Sequence, residues 1–495
     1  MNASSQLPQF HIVGFTGHRQ LDQPREIQGA VRAALESLRH EGPGEWIALS
    51  SAAAGADMLF VGQALAAGLA WHVVLPLPPA EFRKDFSPEE WARVEALLPE
   101  AQHLRVIAEN GSREDAYLDA GMEVVHECDV LLAVWDGQPP RGKGGTADVV
   151  AYARELNKPI LIINPATGEL RREHFNVLAL SDHDLAFFNR LPAAPEAARL
   201  IANPFHAPGE IAQFQGKVDH AASRGAPQFR RLIAATVLLH VMATLAATAE
   251  LAFGLPGAAL PWVKLLCLLG ALAVALALRV QGTHHHWVRC RLAAEFCRSA
   301  LATWGLPRAA PLFADLDMPG LRQLTRSLQV LHGRSLAAQS ATMEEFKQLY
   351  LAQRIADQQD YYGRRLASAL PLLSRLRAGF WVTTVLAILC TACYASEETW
   401  HWMEMPATTR AWVFSFLPIA LPVVAAAFLS LVSINDLHRR VARYREMQTT
   451  LGAARKQLVY SQTWGSLERI VQRTERALLQ EVFEWHAITS FAESH

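Results

Sequence analysis

Leu232–Phe253 reads LIAATVLLHVMATLAATAELAF; Gly254-Leu255-Pro256-Gly257 follows, and then AALPWVKLLCLLGALAVALAL as far as Leu278. Each half holds roughly 20 mostly apolar residues, which at about 1.5 Å of rise apiece cross a hydrocarbon layer about 30 Å thick. The Gly/Pro break between them has the composition that reverses a chain. The alternative is a hairpin buried in a large soluble core, and two such runs back to back are uncommon there. The stretch is read as a membrane hairpin, with a soluble domain before it and more helical chain after it.

A second pair of apolar runs follows, Ala378–Ala395 and Ala411–Ser433, separated by the polar stretch Ser396–Arg410. Four crossings result, so the lipid bilayer is the first partner expected. Arg224, Arg230 and Arg231 precede the first crossing, and Arg279 and Arg289 follow the second. Arg364, Arg365, Arg375 and Arg377 precede the third; Arg439, Arg440, Arg443 and Arg445 follow the fourth. The hairpin turns carry only Arg410, against Glu397, Glu398 and Glu404. The positive-inside rule then keeps both termini and the central region in the cytoplasm, as expected of a multi-pass inner-membrane protein. Pro418 and Pro422 should kink the fourth crossing. Glu250 and Lys264 either pair across the first hairpin or snorkel to its interface. Thr383, Thr384, Ser415 and Ser430 either line water or bond their own helix backbone.

Helical stretches flank the hairpins. Trp287–Trp304 follows the first, Met343–Leu366 precedes the second with Asp360 and Arg364 at helical pairing distance, and Asp436–Phe491 follows it. In the last stretch Trp464, Leu467, Val471, Leu478 and Val482 form a stripe that requires a partner helix. The pattern is helix, hairpin, helix, given twice.

The 495 residues leave room for two or three domains. Mean hydropathy is only slightly positive, so the membrane segments are a minority. The formal net charge of −1 gives no global electrostatic attraction for a nucleic-acid polymer. The six cysteines are scattered and imply no disulfide framework, which fits a reducing compartment. His284-His285-His286 with Cys290 and Cys297 match no closed four-ligand spacing, so a polar cluster is expected there, not a metal. Cys390 and Cys393 lie inside an apolar run and are read as packing. The opening MNASSQLPQF has no basic or apolar signal pattern, and the amino-terminal region is expected to stay in the cytoplasm.

Between Phe10 and Ile163 short apolar runs alternate with helical ones. Strands are expected at His11–Phe15, Trp46–Ser50, Trp71–Leu77, His103–Ile107, Val130–Trp135 and Pro159–Ile163. Helices are expected near Pro24–Arg39, Gly55–Ala67, Pro88–Leu97, Arg113–Glu127 and Thr146–Leu156. Ser87-Pro88-Glu89-Glu90 has the Ser cap, early Pro and third-position carboxylate of a helix start. Such alternation builds a mostly parallel sheet, with ligands beyond the carboxyl ends of its strands.

Glycines and polar residues gather at those ends. Gly14, Thr16, Gly17, His18 and Arg19 follow the first strand; Ser50, Ser51, Gly55 and Asp57 follow the second. Asp136, Arg141, Lys143, Gly144, Gly145, Thr146 and Asp148 follow the fifth. Glycines admit a ligand close to the backbone, and helix starts offer free amides with partial positive charge. Arg19, Arg141 and Lys143 would meet phosphate, while Asp57, Asp136 and Asp148 would accept from ribose hydroxyls. Singly each has an ordinary explanation: a tight turn at Gly144-Gly145-Thr146, a helix-start charge at Asp57, a surface residue at His18. Together they point to a nucleotide-like ligand.

GFTGHR, AAGAD and WDG…GKGGTADVVAYA resemble the SLOG group, Rossmann-like domains related to the cytokinin-activating phosphoribohydrolase LOG and the DNA-processing protein DprA. The resemblance covers about Phe10–Pro165. Enzymatic members carry PGGxGTxxE, whose Glu takes part in glycosidic cleavage. Aligning Gly145-Thr146 with that GT places Val149 at the Glu position, with Asp148 about 100° away around the helix. The resemblance therefore implies a sensor of nucleotide second messengers, ADP-ribose-like or cyclic oligonucleotide, and not an enzyme.

RCRLAAEFCR after the first hairpin and YLAQRIADQQDYYGRR before the second resemble the SLATT family of two-crossing effector domains found with SLOG sensors. The resulting organisation is an α/β Rossmann-like domain followed by an all-α membrane domain with four transmembrane helices and cytoplasmic helices. The boundaries read are a SLOG-like domain over 1–165, a linker over 166–230 with short helices near Pro195–Ile201 and Glu210–Ala222, and a first SLATT-like unit over 231–305. A connector over 306–342 and a second unit over 343–495 complete the chain. The resemblance implies a nucleotide-gated, pore-forming homo-oligomer in antiphage defence. The runner-up is a membrane-anchored nucleotide hydrolase or N-glycosidase with Asp148 or Asp57 as acid–base residue; a third reading is a scaffold without ligand.

Overall fold

A computed structural model describes residues 5–108, 112–140, 143–178, 180, 183–195, 203–255, 259–281, 283–307, 319–336, 341–400 and 405–491. Of residues 183, 225–230, 278–281, 283–286, 319 and 481–491 the backbone alone is described. Arg141, Gly142, the Pro256-Gly257 turn, Glu404 and all but the first residue of the helix expected over 195–201 lie outside the described residues. The chain divides into an α/β unit and a helical unit.

The α/β unit holds a 7-stranded sheet in the order β4-β3-β2-β1-β5-β6-β7. Its strands are β1 (Phe10–Gly17), β2 (Glu45–Ser50), β3 (Ala70–Leu75), β4 (Ala101–Val106), β5 (Val130–Val134), β6 (Ile160–Ile163) and β7 (Leu170–Glu173). Neighbours from β4 to β6 pair in parallel, and β7 pairs antiparallel with β6. The first six strands and the five longer helices among them fall where the apolar periodicity put them; the short helix Pro79–Phe82 was not expected. β7 does not: it lies in the stretch read as linker. Its Leu-Arg-Arg-Glu sequence is a charged, exposed edge of the kind that protects a sheet from further pairing, and it carries no apolar run.

Helices cover both faces. α1 (Pro24–Arg39), α2 (Ala56–Ala66), the short α3 (Pro79–Phe82) and α4 (Pro88–Leu97) lie over the face that carries Phe15, Trp71, Val73 and Leu132, and Phe60, Phe82 and Trp91 are buried with those strand residues. The opposite face, built on Phe10, Ile12, Ile47, Leu131 and Ile160, lies under α5 (Arg113–Glu127) and α6 (Thr146–Glu155). At α4 the Ser87 hydroxyl accepts from Glu90 N at 3.2 Å, and the Glu90 carboxylate accepts from Ser87 N at 2.8 Å, a closed capping box. α7 (His183–Arg190) returns to the amino terminus, where Asn189 brackets the backbone of Leu7.

One layer of this unit comes from far along the chain. The helix Arg322–Ser335, numbered α11, belongs to the α/β unit although it lies between the two apolar hairpins in sequence. Arg326 donates to Phe10 O at 3.1 Å, to Glu127 O at 3.1 Å and to the Asp129 carboxylate at 2.6 Å. Asp129 in turn accepts from Ile12 N at 2.8 Å. Gln323 accepts from Phe10 N, the Ser327 hydroxyl donates to Pro8 O, and Val330 joins the core beside Ile47 and Val74. A polar helix is thus fixed by bonds to backbone groups that the sheet itself leaves unpaired.

The helical unit begins with α8, which runs unbroken for 45 residues from Gly209 to Phe253. The expected linker helix at Glu210–Ala222 is its first third, continuous with the first apolar run. α9 (Ala259–Gln281), α10 (Thr283–Thr303), α12 (Met343–Leu349), α13 (Ala356–Trp400), α14 (Ala407–Arg410), α15 (Leu417–Ile434), α16 (Leu437–Tyr460) and α17 (Trp464–Phe491) complete it. Four of its helical segments are long and apolar enough to cross a membrane. Leu266, Leu269, Leu272, Trp381, Ile388 and Leu389 stand exposed along them, an apolar surface that water would penalise and lipid would not. α8 packs on α9, α13 on α15, and α8 on α15 and on the turn Ala411–Phe416 before it, where Phe253 meets the rings of Trp412 and Phe416.

Inside these segments Thr383 and Ser430 donate to the carbonyls of Gly379 and Ala426, so both bond their own helices. Pro418 sits at the start of α15 just after a π-helical turn at Ala411–Phe416, which absorbs its missing N–H; Pro422 lies inside α15. Among the described residues no ion pair joins Glu250 to Lys264 or Asp360 to Arg364. The apolar stripe of α17 finds its partners in α10 and α16, with Leu467 and Val471 fully buried.

Candidate ligand site at the strand switch

β1 is the strand at which the sheet changes direction: the chain leaves it for β2 on one side, and β5 pairs with it on the other. In open α/β sheets the crevice at the carboxyl ends of such a pair accommodates ligands. The first two loops touch there. A Cβ on Gly17 would fall 2.5 Å from the Ala56 Cβ, and one on Gly55 would fall 2.1 Å from the Arg19 carbonyl oxygen. Gly55 has φ +83° and Ala52 φ +54°, so the loop after β2 is held in left-handed backbone at two places.

His18 ties this corner to β5. Its N–H donates to Val134 O at 3.3 Å, its carbonyl accepts from Ala56 N at 3.0 Å, and Nε2 accepts from Asp136 N at 3.2 Å. Nε2 is also 3.2 Å from Asp136 Oδ1, so a neutral ring takes the amide hydrogen and a protonated ring donates to the carboxylate. The exposed Arg19 guanidinium lies 5.2 Å over the ring of Tyr117 on α5. The Tyr117 hydroxyl donates to Asp85 at 2.7 Å, and Arg113 donates to the same carboxylate oxygen at 2.5 Å. Burial and the Asp85 bond push the Tyr117 phenol above its usual range.

The third loop closes against the same helix. Gly144, at φ +79°, brings its backbone so close to α5 that a Cβ would sit 2.6 Å from Leu118 N. Its N–H donates to the Asp148 carboxylate at 2.9 Å, Gly145 caps α6, and Thr146 opens it. Lys143 pairs with Asp115. Arg19 and Gly144 therefore flank consecutive residues of α5, Tyr117 and Leu118.

Several glycine-loop residues face inward. Gly14 gives room to Cys128, whose Cβ would lie 2.8 Å from an added methyl, and Thr16 pairs in the sheet opposite Ala133. The buried Ser50 hydroxyl accepts from Trp71 Nε1 at 3.1 Å. Asp57 is 3% exposed and accepts from the backbone of Ala53 and Ser51. Burial drives its carboxyl up to about 7, against those bonds and the Arg19 charge. Its carboxylate therefore organises the loop from within. Tyr117, Asp85 and Arg113 were not marked by the sequence, because nothing in an ordinary helix pattern reports which face meets a loop.

The helical unit has a polar centre of its own. Glu475 on α17 is wholly buried and accepts from Arg354 Nε at 2.9 Å and Nη2 at 2.6 Å, from Tyr350 at 2.8 Å and from Ser299 at 2.7 Å. Tyr350 and Arg354 lie in a π-helical turn, Tyr350–Ile355, between α12 and α13; Ser299 is on α10. Nearby, Glu295 pairs with Arg291 and Arg298. Although burial opposes it, Arg291, Arg298 and Arg354 hold the Glu295 carboxyl down at about 2.

These helices are also where the chain meets known families. Residues 213–328 match SMODS and SLOG-associating 2TM effector domain 3, and residues 350–485 match SMODS and SLOG-associating 2TM effector domain 1. The chain thus carries two SLATT domains in tandem behind an α/β domain. No curated protein matches it.

Proposed function

We propose that this protein is a nucleotide-gated membrane effector. A nucleotide-derived second messenger, ADP-ribose-like or cyclic oligonucleotide, settles at the strand switch with phosphate on Arg19 and on the amides of Gly145 and Thr146. Two tandem SLATT domains answer by opening a pore, which requires a homo-oligomer because four helices enclose little space. In a bacterial inner membrane, with both termini in the cytoplasm, the outcome is ion leakage that disables a phage-infected cell.

The observation that carries this reading is the joining, in one chain, of glycine-opened switch-point loops to two effector domains of this family. Position 149 supports a sensor over a hydrolase: Val149 is 2% exposed and packs on Gly121, so a carboxylate there would face the core. Gating needs only a ligand with different affinities for the closed and open states; a full switch requires about 10⁴-fold.

The experiment is dye and ion efflux from proteoliposomes against a panel of cyclic oligonucleotides and ADP-ribose derivatives. One ligand class is expected to open them, with the response lost in Arg19→Ala. Vesicles that stay tight throughout, together with calorimetry that finds no binding, would overturn the proposal.

A further inference from the structure

The corner between α16 and α17 in the helical unit gathers basic side chains around a cleft. A cleft of 530 Å³ opens there, lined by Lys456, Gln457 and Tyr460 on one helix and Ser466, Arg469 and Arg473 on the next. Among the described residues no carboxylate lines it. Lys456, Arg469 and Arg473 are exposed. Among the described residues neither Lys456 nor Arg473 has an ion-pair partner, and Arg469 spends one donor on Gly465 O at 3.1 Å.

Arg469 and Arg473 stand one helical turn apart, an arrangement of like charges that destabilises a helix unless an anion sits between them. We propose that this cleft binds a soluble, multiply charged phosphate compound, its phosphates held by Arg469, Arg473 and Lys456. Arginine favours phosphate because its planar fork makes paired hydrogen bonds. Tyr460, 82% exposed at the rim, offers a flat face to a base or other planar group carried on those phosphates.

The position in the fold separates a soluble ligand from a lipid headgroup. α16 has 24 residues, so its end lies about 36 Å from its start just beyond the fourth apolar segment. It runs back along the polar half of α13, with Gln448 donating to Gln359 O and the Tyr444 ring tilted against that of Tyr362. The cleft is thereby carried away from the apolar segments and beyond the reach of headgroups.

This inference does not rest on the reading of the strand switch. The test is calorimetric titration of the detergent-solubilised full chain with inorganic pyrophosphate and with ATP. Vesicles of phosphatidylglycerol and of phosphatidylcholine, floated with the protein, form the second arm. Saturable pyrophosphate binding is expected in the parent and in Arg19→Ala, at least 10-fold weaker in Arg469→Ala/Arg473→Ala. Tyr460→Ala should weaken ATP and leave pyrophosphate unchanged. Binding in the Arg19→Ala background that survives the double substitution, or binding that Arg19→Ala alone abolishes, overturns the site. Selective flotation with phosphatidylglycerol that the double substitution abolishes, without pyrophosphate binding, overturns the soluble ligand.

Discussion

Removing the Glu475 carboxylate tests how the helical unit is held together. In Glu475→Ala, Arg354 keeps its charge at 5% exposure with its ion-pair partner gone. Tyr350 and Ser299 each lose an acceptor at the same centre. Breaking one side of a buried pair costs about 3–5 kcal/mol, and the two orphaned hydroxyls place the value toward the upper end. For a unit of this size that corresponds to a fall in Tm of roughly 8–20 °C. Replacing both partners, as in Arg354→Met/Glu475→Leu, removes the charge and its solvation demand together and should restore most of the loss. The assay is tryptophan-emission melting of the detergent-solubilised chain, with Trp304 on the loop after α10 and Trp464 on α17 among the reporters. A single variant melting within about 2 °C of the parent, well inside the range expected for a broken buried pair, or a double variant less stable than the single, would refute the reasoning.

In the α/β unit, Arg326→Ala should strip Asp129 of its buried partner at a cost of about 3 kcal/mol, seen as faster amide exchange at Ile12 and along β1. Exchange that changes only within α11 would contradict this. Asp57 has a pH signature. Its folded carboxyl titrates near 7, above the ordinary carboxylate value, so its contribution is complete below about pH 4 and is lost as pH rises through 7. Asp57→Asn keeps an acceptor for Ala53 N and should melt above the parent at about pH 8 but not at about pH 4.5; a pH-independent difference would exclude burial as the cause. In the helical unit, Gly379 lets the Phe428 ring approach so closely that a Cβ would meet it at 2.8 Å. Gly379→Leu should part α13 from α15 and cost about 1–3 kcal/mol, visible as a lower Tm in detergent.

What the sequence disclosed and what it withheld divide along physical lines. β1 to β6 and the apolar helices are legible because burial writes a period of 2 or 3.6, or a long apolar run, into the residues themselves. β7 writes neither, since its four residues have one sheet neighbour and an open edge. α11 is polar along most of its length, and its reason to exist is a set of backbone groups 199 to 319 positions earlier, as with Arg326 and Glu127 or Ser327 and Pro8. No window of sequence contains both halves of that interaction. The glycine-rich loops of the strand switch were visible as composition, yet Asp57 turned out to serve its own loop, because burial of a carboxylate is decided by what folds over it. Likewise the Ser299–Tyr350–Arg354–Glu475 cluster draws one or two residues from each of three segments, none of them unusual alone.

The placement of α11 fixes an order of events during synthesis. The sheet is complete in sequence at β7, but its outer layer over Phe10 and Ile47 waits for Arg326 and Val330. By then the ribosome has already released both apolar helices α8 and α9. At roughly 5–20 residues per second the patch that α11 covers stands open for on the order of ten seconds or longer. The amino-terminal domain therefore matures only after the first hairpin has been made, and a fragment ending at Arg190 keeps α5 and α6 on that face but lacks the part that α11 covers.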